Sequence, residues 1–316
     1  MRAMLLALVF LVSVSSAAAA EDCTLVKMAS LPITADEFGR PLVPVTINGT
    51  ERKFLVDTGG AFTGLSEAVV KELELHTTEI GSHEIYSASG KKITRYATVE
   101  TMTIGISTAK SAHLMVFDAG GGADGTLGPD YLENFDLDFD FGAKALNLIS
   151  PQHCKGKVVY WTPDYVDIPF RLSQSNHITV PMMLDGKKLL TLLDTGASDT
   201  FLSMASARNL FGLRDGSPEL ELLPDAKDTD LVRYRRRFET LSLDGVTVKR
   251  PLIYLHADAA EKTFRRNHND KTQFNPETRI ELEKQDLAVG MNILGKLHLY
   301  IAYKEKMVYV SGANAH

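Results

Sequence analysis

The chain has 316 residues, 44% of them hydrophobic, which suffices for one large packed domain or two ordinary ones and excludes a disordered or fibrous protein. Its 34 Lys and Arg stand against 40 Asp and Glu, and a net charge of -6 supplies no electrostatic footprint for nucleic acid. No nucleic-acid partner is therefore expected.

One cation, Arg2, precedes an apolar stretch from Met4 to Val14 and a run of small residues ending in Ala18-Ala19-Ala20. This is the layout of a secretory signal over residues 1–20. The apolar run is shorter than the roughly 20 residues that span a bilayer. The mature chain is expected to start at Glu21, to be exported (periplasmic or secreted), and to lack stable membrane insertion. Only two cysteines are present, Cys23 and Cys154. Export places them where disulfides persist, so pairing is the expectation and two buried thiols the alternative.

The next elements occur twice. Val43-Pro44-Val45-Thr46-Ile47-Asn48-Gly49 leads into Phe54-Leu55-Val56-Asp57-Thr58-Gly59 and ends at Leu65-Ser66; Val180 to Ser203 repeats this without a gap, at an offset of 137 residues, through Thr191-Leu192-Leu193-Asp194-Thr195-Gly196. Asn48-Gly49 and Asp185-Gly186 are tight-hairpin dipeptides because both positions tolerate positive φ. Ser66 and Ser203 are placed to cap helices over 67–75 and 204–213. Further β-hairpins are expected over 84–99, around Ser89-Gly90, and over 219–238, around Pro224-Asp225. Thr126-Leu127-Gly128-Pro129-Asp130-Tyr131-Leu132 then matches Ala288-Val289-Gly290-Met291-Asn292-Ile293-Leu294. The polar stretch between His256 and Ala288 reads as a surface insertion in the second copy. Short strands are expected over 143–149 and 307–310. The fold expected is mainly β: two homologous β-barrel lobes, 21–152 and 164–316, joined by a linker at 153–163, forming an intramolecular pseudo-dimer with a short helix in each lobe.

A lone Asp-Thr-Gly is weak evidence, since Asp and Gly are common in turns. Two copies, each delivered by an apolar strand, change its weight. A buried unpaired carboxylate is costly, whereas two that face each other share one proton, leaving one group to deprotonate a water and the other to polarise a carbonyl. Asp57 and Asp194 are the candidate pair. Gly59 and Gly196 allow a tight backbone turn beside the water site, and Thr58 and Thr195 are placed to bond across the lobe junction.

These residues resemble the pattern of pepsin-like and retropepsin-like aspartic peptidases: two apolar residues before Asp-Thr-Gly, and some 70 to 100 residues later an apolar pair before Gly, here completed by Gly128 and Gly290. The chain looks closest to bacterial exported retropepsin-like proteins with two fused lobes. The resemblance implies an aspartic endopeptidase, with a water activated between Asp57 and Asp194 and threonines gripping across the junction. It also implies flap hairpins over an extended peptide or protein substrate, for which Tyr86, Ser89 and Gly90 are candidates in the first copy. It implies a monomer and no cofactor. Two features depart from the pattern. Gly60 stands where Ala, Ser or Thr is usual, and the second flap candidate lacks a tip glycine. A non-catalytic peptide- or protein-binding module on the same duplicated fold is the alternative.

Nine histidines include no His-Glu-x-x-His, and no Cys-x-x-Cys accompanies them, so no metal site is expected. Arg233, Arg235, Arg236 and Arg237 read as a solvated strand face more readily than as a dock for an anionic partner. Gly120-Gly121-Gly122 reads as a flexible loop, not a phosphate cradle, because no Gly-Lys-Ser/Thr follows.

Overall fold

The computed structural model describes residues 23–81, 85–86, 91–173, 176–223, 233–256 and 285–314. The expected signal segment, the expected hairpin tips at Ser89-Gly90 and Pro224-Asp225, and most of the expected second-copy insertion lie outside these residues. The architecture is mainly β, as the sequence leads one to expect.

In the first copy, strands Pro41–Ile47 and Thr50–Val56 pair across Asn48-Gly49, both at positive φ (48° and 82°). Thr50–Val56 runs parallel to Gly125–Leu127, which pairs in turn with Gly64–Leu65; the order continues through Ser107–Val116 to Arg95–Ile104. Thr46 opposite Thr103, and Ile47 opposite Met102, then close six strands into a barrel. Alternate residues of these strands, among them Val43, Val45, Phe54, Val56 and Val99, fill its interior.

The second copy repeats this order with strands Ile178–Leu184, Lys187–Leu193, Leu287–Val289, Phe201–Leu202, Leu252–His256 and Arg233–Arg237. Its two long strands are broken. Arg233–Arg237 and Thr240–Leu243 stand where the first copy has Arg95–Ile104, and Val246–Lys249 and Leu252–His256 where it has Ser107–Val116. The second break falls at Arg250, whose φ of 50° matches the 53° of Ser111 in the unbroken strand. Pro251 follows Arg250 and has no N–H for the ladder, which interrupts the pairing before Leu252 faces Arg237.

Helices Glu67–Glu72 and Met204–Phe211 open on Ser66 and Ser203, whose hydroxyls accept from the amides of Val69 and Ser206 at 3.3 Å and 3.1 Å. Both end sooner than the sequence spacing suggests. Glu74 at φ 48° and Gly212 at φ 70° turn the chain left-handed and stop each helix before Leu75 and Leu213. Two further helical turns, Pro129–Leu132 and Met291–Leu294, follow Gly128 and Gly290 and were not anticipated, so among the described residues each copy carries two helices instead of one.

A third sheet joins the copies. Its order is Lys27–Pro32, Ala145–Ile149, Asp136–Asp140, Leu297–Ala302, Met307–Gly312 and Val166–Pro169, three strands from each copy. At its centre Asp138 lies opposite Tyr300, its own counterpart in the repeat, so a pseudo-twofold axis passes between them. Leu299 and Ile301 belong to the main core, whereas Tyr300 and Ala302 turn to the other face and pack with Ile149, Val158 and Tyr309. Cys23 and Cys154 are joined in a disulfide across a sequence separation of 131 residues. No helix among the described residues is long and apolar enough to cross a membrane.

Candidate active site

Each Asp-Thr-Gly leaves the end of a hairpin strand and turns before the next short strand, Gly64–Leu65 or Phe201–Leu202. The main chain at each aspartate is tied to the barrel by Asp57 N–H donating to Leu127 O and Asp194 N–H to Val289 O, both at 3.0 Å. One carboxylate oxygen of each aspartate is held by its own loop. Asp57 Oδ1 accepts from the amides of Gly59 (3.0 Å) and Gly60 (2.7 Å), and Asp194 Oδ1 from those of Gly196 (2.9 Å) and Ala197 (3.0 Å).

The two carboxyl groups lie within hydrogen-bonding reach of each other. The glycines make this approach possible. A Cβ on Gly59 would sit 2.2 Å from Asp194 Cγ, and one on Gly196 would sit 2.3 Å from Asp57 Cγ. Any side chain there would push the acids apart. Both aspartates remain partly open to solvent.

The loops are locked by their threonines, both fully buried. Thr58 Oγ1 donates to Leu193 O and accepts from Thr195 N–H, at 2.7 Å and 3.1 Å; Thr195 Oγ1 donates to Val56 O and accepts from Thr58 N–H at the same distances. Four bonds thus cross the junction between the aspartates with two-fold regularity.

Burial pushes both carboxyls above the ordinary carboxylate range, because a charge among these atoms loses solvation. The negative charge of Asp57 raises Asp194 further, to about 8. Asp57 is restrained by the Gly60 and Gly59 amides and by the charges of His177 and Arg40. The surroundings of the pair are therefore asymmetric, with Arg40 and His177 both acting on Asp57.

Gly128 and Gly290 back the loops. A Cβ on Gly128 would meet the Phe62 backbone at 2.5 Å, and one on Gly290 the Asp199 carbonyl at 2.3 Å. Their amides donate to Thr63 Oγ1 and Thr200 Oγ1 (3.0 Å and 3.1 Å), and these hydroxyls donate to Asp130 and Asn292, each at 2.7 Å. Sequence reasoning passed over Thr63, Thr200, Asp130 and Asn292, although all four fall inside the aligned repeats. A cavity of about 350 Å³ opens beside the Asp194 loop, lined by Phe38 and Gly39 from one copy and Ser198, Asp199, Met291 and Asn292 from the other.

Among the first-copy flap candidates, Tyr86 pairs through its backbone with Lys92 in the short ladder of Ile85–Tyr86 with Lys92–Ile93, while Ser89 and Gly90 lie outside the described residues. The arginine run forms one strand. Arg235 is ion-paired to Glu221 on the adjacent strand, Arg236 lies over the Phe238 ring, and Arg237 donates to Arg250 O, which fits a strand face. Gly120, Gly121 and Gly122 all adopt positive φ, and the carbonyls of Ala119 and Gly120 accept from the guanidinium of Arg40. No cluster of three metal-ligating side chains occurs among the described residues.

Residues 43–131 match the family model for aspartyl proteases. That span holds the Asp57 loop, the closed barrel and the Gly128 element. No curated protein matches the chain.

Proposed function

We propose that the protein is an exported aspartic endopeptidase in which Asp57 and Asp194 activate one water molecule against a peptide bond. The observation that carries this reading is the facing of the two carboxyls, each with one oxygen held by two loop amides, on loops interlocked by Thr58 and Thr195. The aspartyl protease match over 43–131 supports it independently.

A water bonded to both acids loses a proton to ionised Asp57 as its oxygen attacks the scissile carbonyl carbon. Asp194 gives its proton to the carbonyl oxygen, so a neutral tetrahedral diol forms. Collapse of the diol returns one hydroxyl proton to Asp194, and the proton on Asp57 goes to the departing amine. Both acids end as they began. No cofactor enters these steps, and the single chain carries both acids, so the protein works as a monomer. The substrate is a peptide or protein segment lying extended between the lobes. Export is supported by the leader-like residues 1–20 and by the disulfide.

The test is digestion of a peptide library by purified protein, with and without a pepstatin-type inhibitor, beside Asp57→Asn and Asp194→Asn. Inhibitable cleavage lost in both variants is expected. Peptide binding without turnover by the unmodified chain would make it a non-catalytic binding module.

A further inference from the structure

The offset of 137 residues that superposes the aspartate loops also carries Arg40 onto His177, each directly before the first hairpin strand of its copy. Both reach across the junction to the opposite loop. Arg40 Nη1 donates to Gly196 O at 3.4 Å, and His177 Nε2 lies 3.1 Å from Gly60 O. A carbonyl only accepts, so His177 Nε2 carries a proton.

The repeat shows what this bond replaces. In the second copy the carbonyl of Ala197, counterpart of Gly60, accepts from the backbone N–H of Met291 at 2.8 Å. The counterpart of Met291 is Pro129, which has no N–H. The first loop therefore lacks the backbone donor that steadies the second. It is also the looser loop by composition, since Gly60 stands where the second has Ala197 and glycine has more conformational freedom to lose. A side chain there is sterically costly, because a Cβ on Gly60 would approach Asp57 Oδ2 to 2.7 Å. Gly60 N–H makes the shortest bond to Asp57 Oδ1, at 2.7 Å, so whatever holds this peptide unit holds the carboxylate.

We propose that His177 is the positioning residue for Asp57: its Nε2–H clamps the Gly60 carbonyl from the opposite lobe in place of the amide that Pro129 cannot offer. This rests on the peptidase reading for its catalytic consequence, but the clamp itself is readable without turnover. His177 touches no substrate in this role. It fixes the aim of the ionised acid.

The experiment compares His177→Ala, His177→Gln and the double variant His177→Ala/Pro129→Ala with the unmodified chain and Asp57→Asn. Two quantities are read: steady-state peptide cleavage, and amide hydrogen exchange at Gly59, Gly60, Gly196 and Ala197. His177→Ala should lower kcat about 10- to 100-fold, the scale of a misaimed catalytic group, with KM changed less than about threefold. Exchange should quicken at Gly59 and Gly60 and stay unchanged at Gly196 and Ala197. His177→Gln, whose amide reaches about as far as Nε2, should recover most of the loss. The double variant should recover it too, by restoring the backbone donor. If His177→Ala cleaves normally, or if exchange quickens equally in both loops, the assignment is overturned. If the unmodified chain cleaves nothing, the peptidase reading fails; selective exchange at Gly59 and Gly60 would then uphold the clamp, and its absence would remove that as well.

Discussion

Thr58 and Thr195 each donate a hydroxyl proton to the carbonyl that directly precedes the other's aspartate, Leu193 O and Val56 O, both at 2.7 Å. The bond that orients one acid is therefore supplied by the loop of the other, and neither loop is complete without its partner. Thr58→Val removes the donor to Leu193 O and strands the buried amide of Thr195. The expected cost is about 2–3 kcal/mol of unfolding free energy, with cleavage reduced at least tenfold. Thr58→Ser keeps the hydroxyl and should lose only about 1 kcal/mol. Urea unfolding with parallel kinetics checks both, and Thr58→Val/Thr195→Val should cost less than the sum of the singles because each has already broken the shared set.

The dyad makes stability and activity depend on pH in a calculable direction. Asp194 in the folded protein holds its proton up to about 8, far above an unfolded Asp, so the folded state binds more protons between the ordinary carboxylate range and that value. Stability from this group is present in full at low pH and declines as pH rises through the window. Urea midpoints should therefore fall between about pH 4 and pH 8, and the decline should be shallower in Asp194→Asn, which is expected to be more stable than the unmodified chain at pH 8. Cleavage should fall on the alkaline side as Asp194 loses the shared proton, which a kcat/KM profile measures.

In the shared sheet, Asp138 accepts from His298 Nε2 at 2.6 Å, from Asn147 at 2.8 Å and from the hydroxyl of Tyr160, and Trp161 stacks on the His298 ring at 4.0 Å between centroids. His298→Leu leaves a buried acid short of a hydrogen-bond donor and should cost about 1–3 kcal/mol or more. Asp138→Leu/His298→Leu removes both polar partners together and should be markedly less harmful than the two single losses added together. Thermal melts of the three variants decide this.

Reduction of Cys23–Cys154 releases a loop closed over 131 residues. In the chain-entropy model the constraint is worth about 4–5 kcal/mol, so Cys154→Ser should lower the urea midpoint clearly while leaving peptide cleavage intact at low temperature.

The duplication and both aspartate loops were legible because 24 consecutive positions align without a gap and the hairpin dipeptides Asn48-Gly49 and Asp185-Gly186 allow few other conformations. Arg40 and His177 were missed because they lie three residues before that stretch and differ in chemistry, so nothing local marks them as counterparts. The shared sheet was missed for a different reason. Asp136-Leu137-Asp138-Phe139-Asp140 alternates as a strand with one wet face, yet Asp136 and Asp138 are wholly buried. Their partners, His153, Tyr160, His298 and the Tyr303 amide, arrive from distant segments, and alternation alone cannot tell a solvated acid from one paired inside. The helix ends were overrun because left-handed turns at Glu74 and Gly212 interrupt an apolar spacing that continues past them.

The buried acids of the central sheet also bear on how the chain reaches its fold without sticking to others. Until Leu297–Ala302 has been made and docked, Asp136–Asp140 is the open edge of a half-finished sheet, with Leu137 and Phe139 beside unpaired backbone groups. Such an edge invites pairing with another molecule, and the waiting time is long because its mate lies about 160 residues later in the chain. Three carboxylates on five residues make that edge a poor template for a foreign strand, since pairing would bury them without hydrogen-bond partners. The proper mate brings His298 and Tyr300 to meet them, so the same acids that repel strangers during assembly become bonded once the chain closes on itself.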